Sequence, residues 1–304
     1  MKNASDSQVD MQGQTQSDGS PEIWDGIWKD IESGERSIYS PTKPVTRKQF
    51  NHKNYFEDLW ALMGDKAKDS HYCEIGAGRG TTSTYLRASG AQVTMVDMSD
   101  TGFEIAKKNF DKLGIEPADM VIADVRETGI PSDTFDAVLS IGLLEHFEDP
   151  MPVLEESLRI LKPGGLQYAV VVPVPRLRRA AVTRGVLNPP RYVANLARGL
   201  FNRRKSDSTK DGNGMIRTDY DMKDWIDFAK SIGAVEVNCI GYNPYHSVYL
   251  SSKLEEKVTL PLYEKHYQAK RKSSSAPWMQ CHESVAQAHL LTFRKPLASA
   301  DNKN

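Results

Sequence analysis

A short apolar stretch that runs directly into a glycine-rich loop constrains the fold of this chain most strongly. Residues 71–80 read His-Tyr-Cys-Glu-Ile-Gly-Ala-Gly-Arg-Gly. The apolar half predicts a buried strand with Glu74 near its carboxyl end, and Gly76, Gly78 and Gly80 turn the backbone sharply into a helix. The first N–H groups of that helix face the crevice where open α/β sheets bind ligands. A Gly-x-Gly-x-Gly pattern alone leaves two interpretations open, a nucleotide-type site and a tight strand-to-helix turn.

Strands and helices alternate after this loop. Further strands are predicted at 91–96, 120–123, 135–141, 166–172, 234–240 and 289–294. Helices are predicted at 81–88, 103–113, 153–161 and 221–232, with Thr218 or Asp219 as the N-cap of the last. The run Lys162-Pro163-Gly164-Gly165 predicts a helix stop and a turn into the fifth strand. The alternation predicts an α/β fold with a doubly wound, mostly parallel seven-stranded sheet.

The remaining segments differ in composition from this core. We expect a disordered tail at 1–20, N-terminal lid helices at 21–70, a core at 71–173 and 219–296, a basic cap insertion at 174–218 and a second, irregular insertion at 243–288. Trp24, Trp28, Tyr39 and Phe50 are candidate anchors of the lid. The tail has no apolar signal-peptide region, and no stretch approaches the ~20 apolar residues of a membrane span. Three well-separated cysteines fit a reduced, cytoplasmic protein without a metal site.

Three carboxylates lie at or just beyond the carboxyl ends of successive predicted strands. They are Glu74, Asp97 and Asp124. Asp97 follows Glu74 by 23 positions (97 − 74), the separation at which such folds place an acid on a ribose diol; a surface role is the alternative. Asp124 can accept from the exocyclic amine of a purine or can cap the following turn. Glu74 beside the loop favours a cationic group over a pyrophosphate, because like charges repel.

The loop resembles motif I of the class I S-adenosylmethionine-dependent methyltransferases. The resemblance continues in order through Val96-Asp97-Met98, Ala123-Asp124-Val125, Phe135-Asp136-Ala137-Val138, Leu144-Glu145-His146-Phe147-Glu148-Asp149-Pro150 and Leu161-Lys162-Pro163-Gly164-Gly165. It covers about residues 71 to 172, so it does not determine the acceptor. A nicotinamide-dependent oxidoreductase would instead carry Gly-x-Gly-x-x-Gly.

This resemblance implies a Rossmann-like methyltransferase fold that binds S-adenosylmethionine. The cofactor site it implies consists of Glu74, Gly76, Ala77, Gly78, Asp97, Met98, Asp124, Val125, Ile141 and Gly142. In that site the glycine loop holds the methionine moiety, Asp97 the ribose hydroxyls and Asp124 the adenine amine. The alternative to an enzyme is a regulatory module that binds the cofactor without catalysis.

The implied reaction is attack of an acceptor on a sulfonium methyl group, and a hydroxyl acceptor would use a general base. His146, just beyond the fourth strand, is the candidate base, although a histidine bonded to the backbone at a helix start is an equal alternative. Glu145 can serve instead or hold a structural hydrogen bond. Tyr245, His246 and His282 in the second insertion are further candidates, with packing as their alternative.

A strongly basic segment lies in the first insertion. From Arg176 to Lys205 the chain has nine arginines and lysines and no acid, although the whole chain has a net charge of −1. Apolar residues between 193 and 201 recur at helical spacing. This pattern predicts a basic amphipathic helix that contacts a membrane surface or an anionic substrate, with a solvated cap helix as the alternative. We expect a small-molecule acceptor and no nucleic acid partner, because no aromatic stacking surface accompanies the arginines.

Overall fold

The computed structural model of the chain describes residues 24–25, 39–173, 217–246 and 254–298, and within them seven strands form one sheet. In chain order the strands are β1 (His71–Ile75), β2 (Gln92–Asp97), β3 (Asp119–Ile122), β4 (Phe135–Ile141), β5 (Leu161–Val171), β6 (Val235–Tyr242) and β7 (Ala288–Arg294). Their order across the sheet is β3-β2-β1-β4-β5-β7-β6. Neighbouring strands are parallel except at β7, which runs antiparallel to both β5 and β6. The predicted doubly wound, mostly parallel α/β sheet is confirmed.

Helices cover both faces of the sheet. They are α1 (Arg47–Met63), α2 (Thr81–Ala88), α3 (Asp100–Leu113), α4 (Met151–Ile160), α5 (Met222–Ser231) and α6 (Leu260–Ser273). Short 3₁₀ turns lie at Gly64–Lys66, Leu144–His146 and Glu283–Val285, and a π turn at Glu255–Thr259 precedes α6. Successive side chains of a strand point to opposite faces, so Tyr72 joins one buried apolar cluster and Cys73 the other. The sheet is therefore buried on both sides, as its parallel part requires.

The start of α5 differs from the prediction. Its N-cap is Asp221, whose Oδ1 accepts from the main-chain N–H of Lys223 (2.8 Å) and of Asp224 (3.1 Å). Thr218 lies three residues before this cap, and its main-chain N–H donates to the carbonyl oxygen of Glu145 at 2.8 Å. The prediction of Thr218 or Asp219 is therefore wrong, and a tertiary contact explains the error at Thr218.

The start of β5 also differs. Pairing with β4 begins at Leu161, directly after α4, although the sequence predicts a turn over residues 162–165. Leu161 pairs with Phe135, and the next paired residue of β5, Leu166, lies opposite Ala137. The intervening residues form a tight bulge, in which a Cβ on Gly165 would lie 2.8 Å from the carbonyl oxygen of Lys162.

The second insertion is regular over much of its length, contrary to the irregular segment that we predict at 243–288. The helix α6 packs against α1, and the ring of Phe50 lies 5.0 Å from that of Tyr245 and 6.3 Å from that of Tyr267.

The predicted tail at 1–20 and the basic segment from Arg176 to Lys205 lie outside the described residues. In the part of the chain that the structure describes, no helix is both long enough and apolar enough to span a membrane.

A buried carboxylate, Asp58 of α1, makes several of the contacts that join this insertion to the core. It accepts hydrogen bonds from the hydroxyls of Tyr242 (2.6 Å) and Tyr267 (3.1 Å) and from the main-chain N–H groups of Trp278 (3.0 Å) and Met279 (3.1 Å). Burial raises the pKa of Asp58, and these four bonds oppose the rise. Asp58 thus joins α1, β6, α6 and the segment that leads to β7.

Replacing Asp58 with Ala should leave three buried donors and the half-buried main-chain N–H of Trp278 without their acceptor. Each unsatisfied donor costs about 1–3 kcal/mol, partly relieved by rearrangement, so we expect the free energy of unfolding to fall by roughly 3 kcal/mol or more. Urea denaturation measures this change. Asp65→Ala, at an exposed position of the first 3₁₀ turn, is the matched control and should change stability by no more than about 0.5 kcal/mol. If Asp58→Ala and the wild type unfolded at the same urea concentration, Asp58 would not be holding the insertion.

Candidate active site

A pocket opens at the carboxyl ends of the parallel strands, where the sequence predicts the site. Its lining residues are Trp24, Gly76, Asp97, Met98, Ala123, Val125, Ile141, Gly142, Leu143, His146 and Phe147. Its empty volume is about 670 Å³, counted out to the open mouth, within the range of ~300–1,000 Å³ common to small-molecule sites. Of the residues predicted for the cofactor, Gly76, Asp97, Met98, Val125, Ile141 and Gly142 line it, together with the candidate base His146.

The glycine loop forms one wall because its backbone adopts left-handed conformations. Gly76 has φ 65° and Gly78 has φ 51°, both in the region that side chains with a Cβ rarely adopt. A Cβ on Gly76 would also lie 2.6 Å from Cδ1 of Leu143, another lining residue. Glycine at 76 therefore keeps the loop close to the β4 side of the pocket.

Asp97, the last residue of β2, is the carboxylate on the lining. Only 8% of the residue is exposed. Its Oδ2 accepts from the main-chain N–H of Gly78 (2.7 Å) and its Oδ1 from that of Ser99 (2.8 Å). Burial raises the pKa of Asp97, the backbone hydrogen bonds oppose the rise, and the nearby charge of Asp25 adds to it. A carboxylate offers about four lone pairs, so Asp97 can still accept from a ligand diol.

Asp124 does not line the pocket, although its neighbours Ala123 and Val125 do. Its carboxylate is bound by the Arg126 guanidinium, with Nη2 2.7 Å from Oδ2, and by the Arg126 main-chain N–H at 2.9 Å from Oδ1. Burial alone would raise the pKa of Asp124, but the bonds from Arg126 lower it below its ordinary value. These contacts are the ones expected if Asp124 caps the following turn. Its role in binding adenine stays a prediction.

Glu74, Ala77 and Gly78 support the loop from behind rather than line the pocket. Oε2 of Glu74 accepts from the main-chain N–H (2.8 Å) and the hydroxyl (2.5 Å) of Ser83, and so fixes the first turn of α2. Burial raises the pKa of Glu74 to about 7, against the bonds from Ser83. The N–H of Ala77 donates to the carbonyl oxygen of Val96 at 3.2 Å. These contacts fix the loop relative to β2 and α2.

His146 and Glu145 point to different surroundings. The half-buried His146 ring lines the pocket, 5.3 Å from the ring of Trp24 at an interplanar angle of 82°. Glu145 is 1% exposed and does not line it, and a Cβ on Gly142 would lie 3.5 Å from Glu145 Oε1. Within the described ranges, Oε2 of Glu145 has no hydrogen-bond partner. Burial raises the pKa of Glu145 to about 7, and the charge of Arg217 opposes the rise.

The candidates in the second insertion are not brought to the pocket. Tyr245 is buried and its hydroxyl lies 3.0 Å from His266 Nδ1, while His246 Nε2 lies 2.9 Å from the carbonyl oxygen of Val285. His282 Nδ1 lies 2.8 Å from the hydroxyl of Ser284. These contacts agree with the alternative in which the three side chains pack the fold. Among the residues with described positions, no three His, Cys, Asp or Glu side chains are grouped to hold a metal ion.

Four lining residues lie outside the set that the sequence predicts for the site. They are Trp24, Ala123, Leu143 and Phe147. The last three are sequence neighbours of predicted residues, so the motif positions already indicate them. Trp24 is identifiable from the sequence only as an anchor of the lid, because nothing in the pattern connects it to a strand end.

The raised pKa of Glu145 predicts a pH-dependent effect on stability. Between its ordinary value of 4.5 and about 7 the folded protein holds a proton that the unfolded chain has lost, so this group's contribution to stability falls as the pH rises through that window. Glu145→Gln removes the titration. Its stability relative to wild type should therefore increase from pH 5 to pH 8, measured by urea denaturation. Glu156→Gln, which removes a carboxylate bonded to Arg159 and Thr128 with a lowered pKa, should show no such trend over this range. If the plots of unfolding free energy against pH for the two variants ran parallel, the raised pKa of Glu145 would be contradicted.

Comparison with known proteins agrees with this geometry. Residues 73–169 match the family described as "Methyltransferase domain". The chain is 37% identical over 134 residues to a demethylmenaquinone methyltransferase of Clavibacter sepedonicus, an alignment that covers 40% of this chain and 52% of that protein. It is 30% identical over 111 residues to a ubiquinone biosynthesis O-methyltransferase of Actinobacillus pleuropneumoniae. That alignment covers 35% of this chain and 45% of that protein. The matches thus span about half the length of these relatives.

A solved structure extends the likeness over most of the chain. A possible histamine N-methyltransferase of Thermotoga maritima superposes with a TM-score of 0.54 at 15% identity, covering 90% of this chain and 98% of the other. At this identity the superposition supports the fold alone. The family match covers the strands that carry the pocket, so residues 73–169 resemble a methyltransferase domain, and the superposition agrees with the fold of that domain.

Proposed function

We propose that this chain is an S-adenosylmethionine-dependent methyltransferase that methylates a small-molecule acceptor at oxygen. One observation carries the proposal: a loop glycine, the acid that ends β2 and the glycine that follows β4 all line a single pocket. These residues are Gly76, Asp97 and Gly142. They come from three different strand ends, which meet at the edge of the sheet where ligands of such folds bind.

The pocket fits the parts of the proposed cofactor. Asp97 has lone pairs available for the ribose hydroxyls, and Met98, Ala123, Val125 and Phe147 supply apolar surface for the adenine ring. Gly76 and Gly142 bring main chain to the side on which the methionine part would lie. The cofactor supplies an activated methyl group on a sulfonium centre. The chain's own residues then bind and orient the two reactants and keep water from the reacting atoms.

His146 is the proposed general base for a hydroxyl acceptor. Its ring lines the pocket near Leu143 and Trp24, and an imidazole can accept a proton at neutral pH. Glu145 is the second candidate, because one of its buried oxygens has no hydrogen-bond partner in the described part of the chain. Its side chain does not line the same pocket, and for this reason we rank it below His146.

The nature of the acceptor is proposed from the sequence and from the names of the relatives. Those relatives are named for demethylmenaquinone and for ubiquinone biosynthesis, which favours a small molecule over a macromolecule. The basic segment from Arg176 to Lys205 favours an acceptor that is phosphorylated, glycan-type or presented at a membrane. The alternative is a regulatory module that binds the cofactor without catalysis, and turnover on any acceptor would eliminate it.

Calorimetric titration with S-adenosylmethionine and S-adenosylhomocysteine tests the cofactor. We expect micromolar binding to the wild type and a roughly hundredfold loss in Asp97→Ala, because hydrogen bonds to a buried carboxylate contribute about 1.5–3 kcal/mol each. Asp119→Ala, an exposed acid at the start of β3, is the control and should bind as the wild type does. A folded wild-type protein that binds neither ligand would contradict the proposal.

An acceptor panel with radiolabelled S-adenosylmethionine then tests the reaction and the base. The panel comprises hydroxylated small molecules, including phosphorylated and lipid-linked sugars. With the acceptor that reacts, His146→Gln should lower kcat by about 10²–10⁴ and leave the affinity for S-adenosylhomocysteine close to that of the wild type. An unchanged kcat would exclude His146 as the base and would make Glu145→Gln the next variant to measure.

A further inference from the structure

Two residues near the pocket come from neither the sheet nor its crossover helices. Trp24 and Asp25 are half-buried, helical residues of the N-terminal part of the chain. Trp24 lines the pocket and contacts His146, in the 3₁₀ turn that follows β4. Asp25 contacts Ser99, two residues beyond the lining residue Asp97 at the end of β2.

Trp24 lies on the β4 side. Its ring lines the pocket and meets the His146 ring edge to face, with centroids 5.3 Å apart. Leu143 and Phe147 line the pocket beside it. A tryptophan side chain can bury about 150–250 Å², enough to cover much of one face of a bound nucleoside and to exclude water from it.

Asp25 lies on the β2 side and is bonded to Ser99, the N-cap of α3. The Ser99 hydroxyl donates to Asp25 Oδ1 at 2.5 Å and accepts from the main-chain N–H of Gly102 at 3.0 Å. The main-chain N–H of the same serine donates to Asp97 Oδ1 at 2.8 Å. A serine hydroxyl has one proton to donate, so the bond to Asp25 uses the whole donor capacity of this side chain.

Ser99 thus connects the N-terminal piece to the carboxylate that faces the ligand. Movement of Asp25 away from Ser99 would remove the only bond that the hydroxyl proton makes and would carry Trp24 away from His146. The two contacts are adjacent in sequence, so they should form and break together.

We propose that Trp24 and Asp25 form a latch over the cofactor site, in which Trp24 covers the bound ligand and Asp25 fastens the segment through Ser99. The inference rests on the proposed function, because it takes the occupant to be S-adenosylmethionine or S-adenosylhomocysteine. It adds to that function two residues that determine how long the ligand stays bound. A latch that covers a ligand slows its release more than it affects its entry.

Release of S-adenosylhomocysteine from the full chain, followed by stopped-flow fluorescence together with calorimetric affinity, tests the latch. Trp24→Ala and Asp25→Ala should each release the ligand roughly tenfold faster, with a matching loss of affinity. Trp278→Ala is the matched control, since its ring packs on Arg271 and Tyr267 and its main-chain bond to Asp58 survives the substitution. It should release the ligand at the wild-type rate.

A double-variant cycle tests the fastening itself. If Asp25 acts through the Ser99 hydroxyl, the variant that carries both Asp25→Ala and Ser99→Ala should release the ligand no faster than Ser99→Ala alone. The latch would be overturned if the increases in release rate caused by Asp25→Ala and Ser99→Ala multiplied in the double variant. It would also be overturned if Trp24→Ala and Asp25→Ala released the ligand at the wild-type rate. Those outcomes would leave the proposed function intact. A wild-type protein that binds no S-adenosylhomocysteine would overturn both.

Discussion

The hydrogen bond from the main chain of Gly78 to the carboxylate of Asp97 is the interaction on which the pocket depends. It joins the loop after β1 to the end of β2 at 2.7 Å. Gly102 at the start of α3 packs against the same loop, where a Cβ would lie 3.1 Å from the Gly78 carbonyl carbon. Loop, strand end and helix start are therefore one unit, and displacement of any one of them would change the orientation of Asp97.

Two buried acids of this fold, Glu74 and Asp58, are stabilised by neutral donors, whereas the buried Glu156 is bonded to the guanidinium of Arg159. Glu74 is held by the N–H and hydroxyl groups of Ser83, and Asp58 by two tyrosine hydroxyls and two main-chain N–H groups. Such bonds fix geometry without the desolvation of a second charge. Glu145 differs from Glu74 and Asp58, because within the described residues its Oε2 has no hydrogen-bond donor. A buried oxygen without a donor costs stability, so Glu145 is a candidate for a role other than holding the fold.

The sequence predicts most of the framework and the polar centre of the site. The bounds of β4 and α2 agree with the prediction, since apolar periodicity and glycine punctuation determine both locally. One local contact is not evident from the motif: Asp124 is bound by Arg126 two residues away, and its role on adenine stays a prediction. The errors arise where a tertiary contact decides. The helix α6 is largely polar in sequence, and its contact with α1 through Tyr267 and Asp58 is long-range. Trp24, missed as a lining residue, also reaches the pocket through a long-range contact, since its ring meets that of His146.

The position of β7 between β5 and β6 has a consequence for synthesis on the ribosome. β5 is complete at Val171, yet its second neighbour begins only at Ala288, over a hundred residues later. At ~5–20 residues per second, the apolar edge of β5 has no strand to pair with for several seconds, and β6 emerges with its partner β7 still unmade. An unpaired apolar edge is a template for association with other chains. Until β7 is translated and closes the sheet, the edge of β5 therefore stays open to such association.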